Sequence, residues 1–322
     1  MANYGLPPSS LLLILMLIFF SNAFILPSAM HCNSSDRAAL LKIKEQLGNP
    51  LELSSWLPAT NCCAWGLPIM CSEIGRVTLV ALSGLNVTAP IPSAFGELSM
   101  LQFIMLDTMP GLYGSIPSSF SKLSHLGTLD INDTSITGPL PGFLANTDLY
   151  RLTITNSKLI GPIPKSLSRL PNLYYIDLHG NMLSGSIPPG LLHGNGRLGS
   201  LLLSNNRLTG EIPAYYGNED IYILDLSHNQ HTGNISFLYA AKLDSLDLSH
   251  NRIKGKLPKS LKDIDLLHLN VGYNQLCGEI PTGGHMEHHR AENYAHNKCL
   301  CGTPLPPCLL IANSKYQLPV KL

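Results

Sequence analysis

The sequence predicts an α/β solenoid, a curved right-handed coil of short repeats with a parallel β-sheet on its concave face. We expect 3-10 helices and short strands on the convex side and a disulfide-stapled cap at each end. Three observations lead to this prediction. A repeat of 22 to 25 residues runs through most of the 322-residue chain. The chain has 59 leucines but only 13% charged residues, where globular proteins usually have ~25%. The eight cysteines form two groups of four, one near each end.

The repeat is marked by an apolar residue followed by proline. Nine copies run from Ile91-Pro92 to Ile280-Pro281, at spacings of 25, 24, 23, 24, 25, 23, 22 and 23 residues, with Ile235-Ser236 as the one copy lacking proline. Glycine stands two residues before the apolar residue in eight of the nine copies, and L-x-x-L-x-L lies upstream, as in Leu173 to Leu178. A period of about 20 to 29 residues with this leucine pattern is a leucine-rich repeat.

Each part of the repeat predicts a local structure. Side chains of a strand alternate between its two faces, so the leucines of L-x-L point inward and the residues between them point outward. Glycine permits a positive φ and proline fixes φ where the chain turns to the convex side. An asparagine follows the strand in the later copies, where its amide can satisfy backbone groups buried in the turn. These asparagines are Asn181, Asn206, Asn229, Asn251 and Asn274.

The amino-terminal segment predicts secretion. Residues 1–29 contain no Lys, Arg, Asp or Glu and include a ten-residue apolar block from Leu11 to Phe20. Small residues follow that block, as at a signal-peptide cleavage site. The alternative is a membrane anchor, but a spanning helix needs about 20 apolar residues. We therefore expect a signal peptide over residues 1–29, cleaved between positions 23 and 29, and a secreted product without a membrane span.

Cysteine usage agrees with an oxidising compartment. An even number of cysteines in a secreted chain indicates disulfides, although spacing alone leaves their connectivity open. A zinc site is the competing interpretation, but CxxC pairs are absent, and we expect neither a metal nor a cofactor. The cysteines are Cys32, Cys62, Cys63, Cys71, Cys277, Cys299, Cys301 and Cys308. Candidate N-glycosylation sequons begin at Asn33, Asn86, Asn132 and Asn234.

The domain organisation follows from these signals. An N-terminal cap is expected over residues 30–75, with a helix that begins near Asn33 and with Trp56 and Trp65 as packing residues. Nine leucine-rich repeats are expected over residues 76–281. A C-terminal disulfide cap should cover residues 282–310, and residues 311–322 form a tail.

Charge and motifs argue against several functions. Lys+Arg equals Asp+Glu at 21 each, so the chain lacks the basic surplus of a nucleic-acid-binding protein. Nucleophile-elbow, zinc-protease and P-loop motifs are absent, and we expect a binding protein rather than an enzyme. The rival from another class is a solenoid enzyme with paired acidic groups, for which Asp130 and Asp133 are the nearest candidates.

Both ends of the repeat carry motifs of one plant protein family. The segment Asp36 to Leu41 and the run Asn61-Cys62-Cys63-Ala64-Trp65 resemble its N-terminal cap. The run from Asn274 to Pro281 and the segment from Tyr294 to Cys308 resemble its C-terminal end. With the pattern L-x-x-L-x-L-x-x-N-x-L-x-G-x-I-P between them, the chain is similar to plant polygalacturonase-inhibiting proteins, which are extracellular leucine-rich-repeat proteins.

The resemblance carries implications about structure and function. It implies the disulfides Cys32–Cys62, Cys63–Cys71, Cys277–Cys299 and Cys301–Cys308. It also implies a cell-wall protein of plant defence that binds fungal or insect endopolygalacturonases through its concave face and limits pectin breakdown. The family often carries acidic residues on the fourth and fifth strands, where this chain has Thr153 and His179.

The outward strand positions are the candidate partner-binding residues. An acidic, hydroxyl-bearing groove can steer a basic partner towards it. The candidates are Asp107, Asp130, Asp133, Thr153, Thr155, Asp177, His179, Asp225, His228, Asp247 and His250. Asp177, Asp225 and Asp247 stand in an L-D-L context where aspartate also belongs to the ordinary repeat, and a glycan on Asn132 would obstruct the groove.

Two other functions remain open. The chain could be a cell-wall scaffold or signalling partner that binds a plant receptor, peptide or pectin without inhibiting an enzyme. Binding of ice or polysaccharide by repeated polar side chains is a further possibility, which the irregular repeat lengths disfavour.

The histidines suggest a response to acidic pH. His228 and His250 are expected on adjacent outward strands, so acidification should change partner affinity. His285, His288, His289 and His296 form a histidine-rich tract with some capacity for metal, although it lies in the expected cap.

Overall fold

The computed structural model describes residues 31–66, 68–193, 197–213, 221–235 and 243–308. The expected signal peptide of residues 1–29 and the tail of residues 311–322 lie outside these ranges. Within them, no helix has the length and apolar character needed to cross a membrane.

The N-terminal cap begins with a capped helix. Helix α1 spans Ser34–Gln46, and the side chain of Asn33 accepts hydrogen bonds from the backbone N–H groups of Ser35 and Asp36. The apolar face of α1 is buried, and behind it Trp56 and Trp65 stack with ring centroids 5.1 Å apart. Short 3-10 helices, Leu51–Leu53 and Cys62–Ala64, complete the cap. Strand β1, Ile69–Cys71, pairs antiparallel with the first strand of the solenoid.

The solenoid is built from short strands that pair in parallel with the equivalent strand of the next coil. In chain order they are β2 (Val77–Ser83), β3 (Ala89–Pro90), β4 (Phe103–Gly114), β5 (Thr128–Pro139), β6 (Arg151–Thr155), β7 (Lys158–Gly161), β8 (Tyr175–Asp177), β9 (Met182–Gly185), β10 (Ser200–Leu202), β11 (Arg207–Glu211), β12 (Ile223–Asp225), β13 (Gln230–Thr232), β14 (Ser245–Asp247), β15 (Lys254–Gly255), β16 (His268–Asn270), β17 (Gln275–Glu279) and β18 (Cys299–Cys301).

Two sets of strands form the two sides of the coil. The described residues contribute nine strands to the concave sheet: β2, β4, β5, β6, β8, β10, β12, β14 and β16. The remaining solenoid strands pair along the turn towards the convex side. There the chain forms the 3-10 helices Ser93–Glu97, Ser118–Lys122, Gly142–Asn146, Lys165–Arg169 and Lys259–Asp263 and the one-turn helix α2, Pro189–His193.

The core is a stack of inward leucines closed by an asparagine ladder. In the coil of Asn229, the side-chain Nδ2 donates to the backbone oxygens of Leu203 at 2.9 Å and Leu226 at 3.2 Å. Its Oδ1 accepts from the N–H of Leu208 at 2.9 Å. The same pattern recurs at Asn181, Asn206, Asn251 and Asn274 and continues into the C-terminal cap at Asn297. The predicted role of these asparagines is confirmed.

All eight cysteines are paired. The disulfides are Cys32–Cys62, Cys63–Cys71, Cys277–Cys299 and Cys301–Cys308, which confirms the pairing that the family resemblance implied. Strand β18 adds one further strand to β17 beside the Cys277–Cys299 bond. The cap thus covers the last coil and supplies the polar end that a solenoid needs. The leucine-rich-repeat solenoid with disulfide caps is confirmed.

Candidate binding face on the concave sheet

Strand register sorts the outward residues into rows. The central row consists of residues at the middle outward position of each concave strand: Ala81, Met105, Asp130, Thr153, Asp177, Leu202, Asp225, Asp247 and Asn270. Four of these nine residues are carboxylates, and the described residues place no cation in the row. The row is therefore an acidic line across the sheet.

Arg151 balances part of that charge at the centre of the sheet. Its Nε donates to Asp130 Oδ1 at 3.3 Å, and its guanidinium carbon lies 4.3 Å from the centre of the Tyr175 ring. Burial raises the pKa of Asp130, and the positive charge of Arg151 opposes that rise. Burial, together with the nearby carboxylate of Asp177, raises the pKa of Tyr175 to about 12. Asp130 is thus a buried, paired carboxylate rather than the open acidic residue expected from the sequence.

Asp177 and His179 form the second charged pair. Asp177 Oδ1 lies 2.7 Å from His179 Nδ1 and also accepts the backbone N–H of His179 at 3.2 Å. This side-chain hydrogen bond raises the pKa of His179, while burial acts in the opposite direction. The His179 imidazole is half-exposed. It can therefore present a proton to a partner in mildly acidic solution.

Asp225 and Asp247 brace the backbone. Their Oδ1 atoms accept the N–H groups two residues later, Ser227 at 3.0 Å and Ser249 at 2.8 Å. Burial raises the pKa of Asp247. These contacts explain the L-D-L pattern, because the aspartate side chain stabilises the turn that follows the strand. The half-buried carboxylates still contribute negative charge to the face.

A second row lies two residues further along each strand. Asp107 accepts hydrogen bonds from the hydroxyls of Ser83 at 3.3 Å and Thr108 at 2.9 Å. Asn132 accepts from the hydroxyl of Thr155 at 2.8 Å. A glycan on half-buried Asn132 would cover this row.

The other sequons lie away from the sheet. Asn86 and Asn234 are exposed, and Asn33 caps α1. Glycosylation of any of these asparagines stays a prediction.

Three candidates lie in a different row from the one expected. Asp133, His228 and His250 have φ values of 51°, 53° and 54°, so they sit in a left-handed turn beyond the outward strand positions. Strict alternation fails here because the chain turns immediately after the strand. The non-glycine members of this left-handed row are Thr108, Asp133, Asn156, Asn205, His228, His250, Tyr273 and His296.

The last four members of the left-handed row stack on one another. Neighbouring rings lie with centroids 4.1 Å apart from His228 to His250, from His250 to Tyr273 and from Tyr273 to His296. All four residues are exposed. Burial within the stack lowers the pKa of His250, and the charge of His228 lowers it further.

Replacing His228 with glutamine is expected to raise the pKa of His250, because a neighbouring positive charge is removed. Histidine ring-proton NMR across a pH series measures this directly. Tyr273→Phe is the matched control, since it keeps the ring stack and removes only a hydroxyl group. An unchanged His250 titration in His228→Gln would contradict the coupling, and the double variant His228→Gln/His250→Gln tests the expected pH dependence of partner affinity.

The histidine tract, which the sequence credits with only some capacity for metal, is spread over different surroundings. In the histidine tract, His285 pairs with Asp265 at 3.0 Å, His289 is buried, and His296 belongs to the ring stack. Within the described ranges, the one group of three close ligand atoms is that of Cys32, Cys62 and Cys63, all of which are disulfide-bonded.

The residues considered for a catalytic pair are also apart in the fold. Asp130 is buried in the central row beside Arg151, and Asp133 is exposed in the left-handed row. The two carboxylates thus occupy different rows and environments.

Aromatic residues are the part of the face that the sequence analysis missed. Tyr174 and Tyr175 precede Ile176 at the start of one strand. Tyr150 and Tyr222 occupy the position equivalent to Tyr174 in other coils. Aligning the repeats on L-x-x-L-x-L and scanning each column for aromatics would have found them. The same alignment would also have shown Arg151, which stands one column later.

The comparisons with known proteins fit this geometry. A family model described as "Leucine rich repeat N-terminal domain" matches residues 33–67. A model described as "Leucine Rich Repeat" matches residues 172–193, 197–218 and 242–264.

Solved structures agree on the fold. A plant ice-binding protein superposes with a TM-score of 0.73 at 35% identity, covering 86% of this chain and 98% of that one. The ectodomain of the Arabidopsis receptor kinase HAESA, solved with a peptide hormone, has a TM-score of 0.61 at 31% identity and is covered over 38% of its length.

Curated relatives identify the family. Polygalacturonase inhibitor 1 of Oryza sativa subsp. japonica is 42% identical, but over 34% of this chain and 33% of its own length. Polygalacturonase inhibitor 1 of Arabidopsis thaliana is 35% identical over 86% of this chain and 92% of its own length. With the capped solenoid and its repeat, this match shows that the chain belongs to the polygalacturonase-inhibitor family of plant leucine-rich-repeat proteins.

Proposed function

We propose that this protein is a secreted, cell-wall protein of plant defence that binds pathogen endopolygalacturonases through its concave face and inhibits them. The observation that carries the proposal is the acidic central row, which crosses the concave sheet of a chain in this family. Carboxylates in such a row attract a basic rim on a partner and raise the association rate. Inhibition would follow from occlusion, because a partner seated on the sheet has its own substrate cleft covered.

The chemistry of the face supports binding rather than catalysis. Its charged side chains are engaged with neighbours: Asp130 with Arg151, Asp177 with His179, and Asp225 with a backbone N–H. Such fixed charges are pre-organised, which lowers the entropic cost of binding.

An inhibition assay tests the proposal. Folded protein is added to a panel of fungal and insect polygalacturonases acting on polygalacturonic acid, and reducing ends are measured over time. At least one enzyme should be inhibited at sub-micromolar concentration. Failure across the panel, with a cooperative thermal transition showing that the protein is folded, would reject the inhibitor function.

Charge removal then tests the face. The double variant Asp225→Asn/Asp247→Asn, which removes two carboxylates of the central row, should weaken inhibition about tenfold at low salt and less at high salt. Asparagine keeps an acceptor oxygen for the N–H groups of Ser227 and Ser249, so folding should be preserved. Asp148→Asn, whose carboxylate is 69% exposed and lies in a loop before β6, is the control. Equal loss in both variants would place the contact elsewhere.

A cell-wall scaffold or signalling partner is the second candidate. Its support is the likeness to the HAESA ectodomain, whose structure contains a peptide hormone. Pull-down from wall extracts that recovers a receptor or peptide, together with no inhibition in the enzyme panel, would favour it.

A further inference from the structure

A row of tyrosines lies at the edge of the concave sheet where the strands begin. Backbone hydrogen bonds of 2.8 to 2.9 Å link its members from each coil to the next. These hydrogen bonds run from Thr78 through Gln102, Gly127, Tyr150, Tyr174, Gly199 and Tyr222 to Asp244 and Leu267. The part of this row from Gly127 to Tyr222 is here called the tyrosine rim. Tyr150 and Tyr174 are 42% and 46% exposed, and Tyr222 is half-buried. A tyrosine ring thus occupies one side-chain position in three of the four coils from Tyr150 to Tyr222, with Gly199 in the remaining coil.

The two glycines of the rim make room for the rings. A Cβ at Gly199 would lie 2.6 Å from Tyr174 Cε2 and equally close to Tyr222 Cε1. A Cβ at Gly127 would lie 2.8 Å from Tyr150 Cε1. Neither glycine has a positive φ, so the backbone conformation does not require glycine at these places. The absence of a side chain serves ring packing instead.

The rings are also held by polar contact. Across Gly199, the hydroxyl of Tyr174 donates to the hydroxyl of Tyr222 at 2.8 Å, and the ring centroids lie 6.1 Å apart with planes inclined by 41°. Rings fixed in this way lose little further freedom on binding, which favours affinity. The rim is a pre-organised surface, not a chance scatter of exposed aromatics.

The charge of the rim points to the class of ligand. From Gly127 to Tyr222 the rim contains no charged residue, and the next residue of the row, the exposed Asp244, is a carboxylate. Arg151, the residue after Tyr150, is engaged with Asp130 and with the Tyr175 ring on the sheet. A tyrosine offers an apolar face and one hydroxyl. A neutral sugar ring has the matching combination of C–H faces and hydroxyl edges, whereas an anionic chain would find no cation in the rim and would meet the carboxylate of Asp244 at its end.

We propose that the tyrosine rim binds a neutral polysaccharide chain lying along the solenoid axis, with sugar rings stacked on Tyr150, Tyr174 and Tyr222. The site is distinct from the acidic central row, so sugar binding does not depend on enzyme inhibition. It would tether the protein to a carbohydrate matrix and leave the acidic row open.

Titration with defined oligosaccharides tests the proposal. The probes are cellohexaose, xylohexaose and mannohexaose as neutral chains and hexagalacturonate as a charged chain, followed by calorimetry and by tyrosine ring NMR. At least one neutral chain should bind with an affinity that does not change between low and high salt. Tyr174→Ala should weaken that binding about tenfold, the equivalent of one lost aromatic stack. Gly199→Ala should weaken it several-fold by displacing two rings without deleting either.

Controls separate stacking from loss of structure. Tyr273→Ala removes a tyrosine of similar exposure, 47%, from the left-handed row and should leave sugar binding unchanged. Tyr174→Phe keeps the ring and should retain most of the affinity. Thermal unfolding of each variant shows whether it is folded.

Three results would overturn the proposal. The first is no binding of any neutral chain at millimolar concentration by the wild-type protein. The second is an equal effect of Tyr174→Ala and Tyr273→Ala on sugar binding. The third is a loss of enzyme inhibition in Tyr174→Ala when neutral chains do not bind, which would make the rim a protein contact.

Discussion

Replacing Arg76 with methionine is expected to lower the free energy of unfolding by about 3 to 5 kcal/mol, the usual cost of leaving a buried charge without its partner. The Asp36 carboxylate is fully buried in the first turn of α1. It accepts from Arg76 Nε and Nη2, both at 2.9 Å, and from the N–H of Val77 at 2.8 Å. Arg76 also donates to Ser99 at 2.9 Å and so joins the cap to the first coils. Urea unfolding monitored by circular dichroism measures the loss.

An exposed ion pair between the same cap and the first coils is the control. Lys42 Nζ lies 2.8 Å from Glu97 Oε2, with side chains 53% and 46% exposed. Lys42→Met should therefore cost no more than about 1 kcal/mol. The double variant Asp36→Asn/Arg76→Met should recover part of the loss, because asparagine is uncharged and still accepts from Val77. Equal effects of Arg76→Met and Lys42→Met on the free energy of unfolding would refute the conclusion that the buried pair of Asp36 and Arg76 joins the cap to the first coils.

The second large effect concerns His231 and acid. His231 is fully buried in β13 at the position where other coils carry Leu183, Leu208 and Ile253. Its Nδ1 lies 3.4 Å from the oxygen of Gly210, and its Nε2 has no hydrogen-bond partner among the described residues. Burial lowers the pKa of His231 to about 4. The folded protein therefore holds this imidazole neutral well below the pH at which the unfolded chain protonates it.

The sign of the pH effect follows from linkage. Between pH 6.5 and about 4 the unfolded state binds one more proton at this residue, so stability falls as the pH falls through that window. The loss attributable to His231 is about 2 kcal/mol at pH 5 and about 3 kcal/mol well below pH 4. His231→Leu should remove this loss and also stabilise the protein at pH 7, since a buried nitrogen without a partner costs about 1 to 3 kcal/mol.

Unfolding at a series of pH values checks the prediction. The stability curves of wild type and His231→Leu should diverge below pH 6.5. His125→Gln, a change at a histidine whose side chain is 50% exposed, should follow the wild type. Parallel curves for wild type and His231→Leu would contradict the assigned titration.

The repeat explains why so much of the fold could be predicted. An L-x-L motif every 22 to 25 residues places the same inward and outward residues in every coil, so one coil predicts the next. The turn asparagines, the helix that begins near Asn33 and the packing roles of Trp56 and Trp65 could be predicted from motifs that are local in sequence. The disulfide pairing needed the family resemblance, because spacing leaves several connectivities possible.

The candidate site was predicted less completely, for a physical reason. Contacts on the face join residues one coil apart, such as Asp130 and Arg151, and their identity depends on strand register rather than on neighbouring sequence. Alternation also stops at the left-handed turn, which moved Asp133, His228 and His250 out of the expected row. The reason for glycine in the tyrosine rim can be seen only when the tyrosine rings of adjacent coils are placed beside it.

The sequence by itself therefore determined the solenoid, its two stapled caps and an acidic concave face, because each is encoded within a single period or at one end. The tertiary structure decided which charges are paired, where four rings stack and where tyrosines line the edge of the sheet. Those features arise from side chains that meet only when coils lie strand beside strand, at the spacing of about 4.8 Å that backbone hydrogen bonds impose.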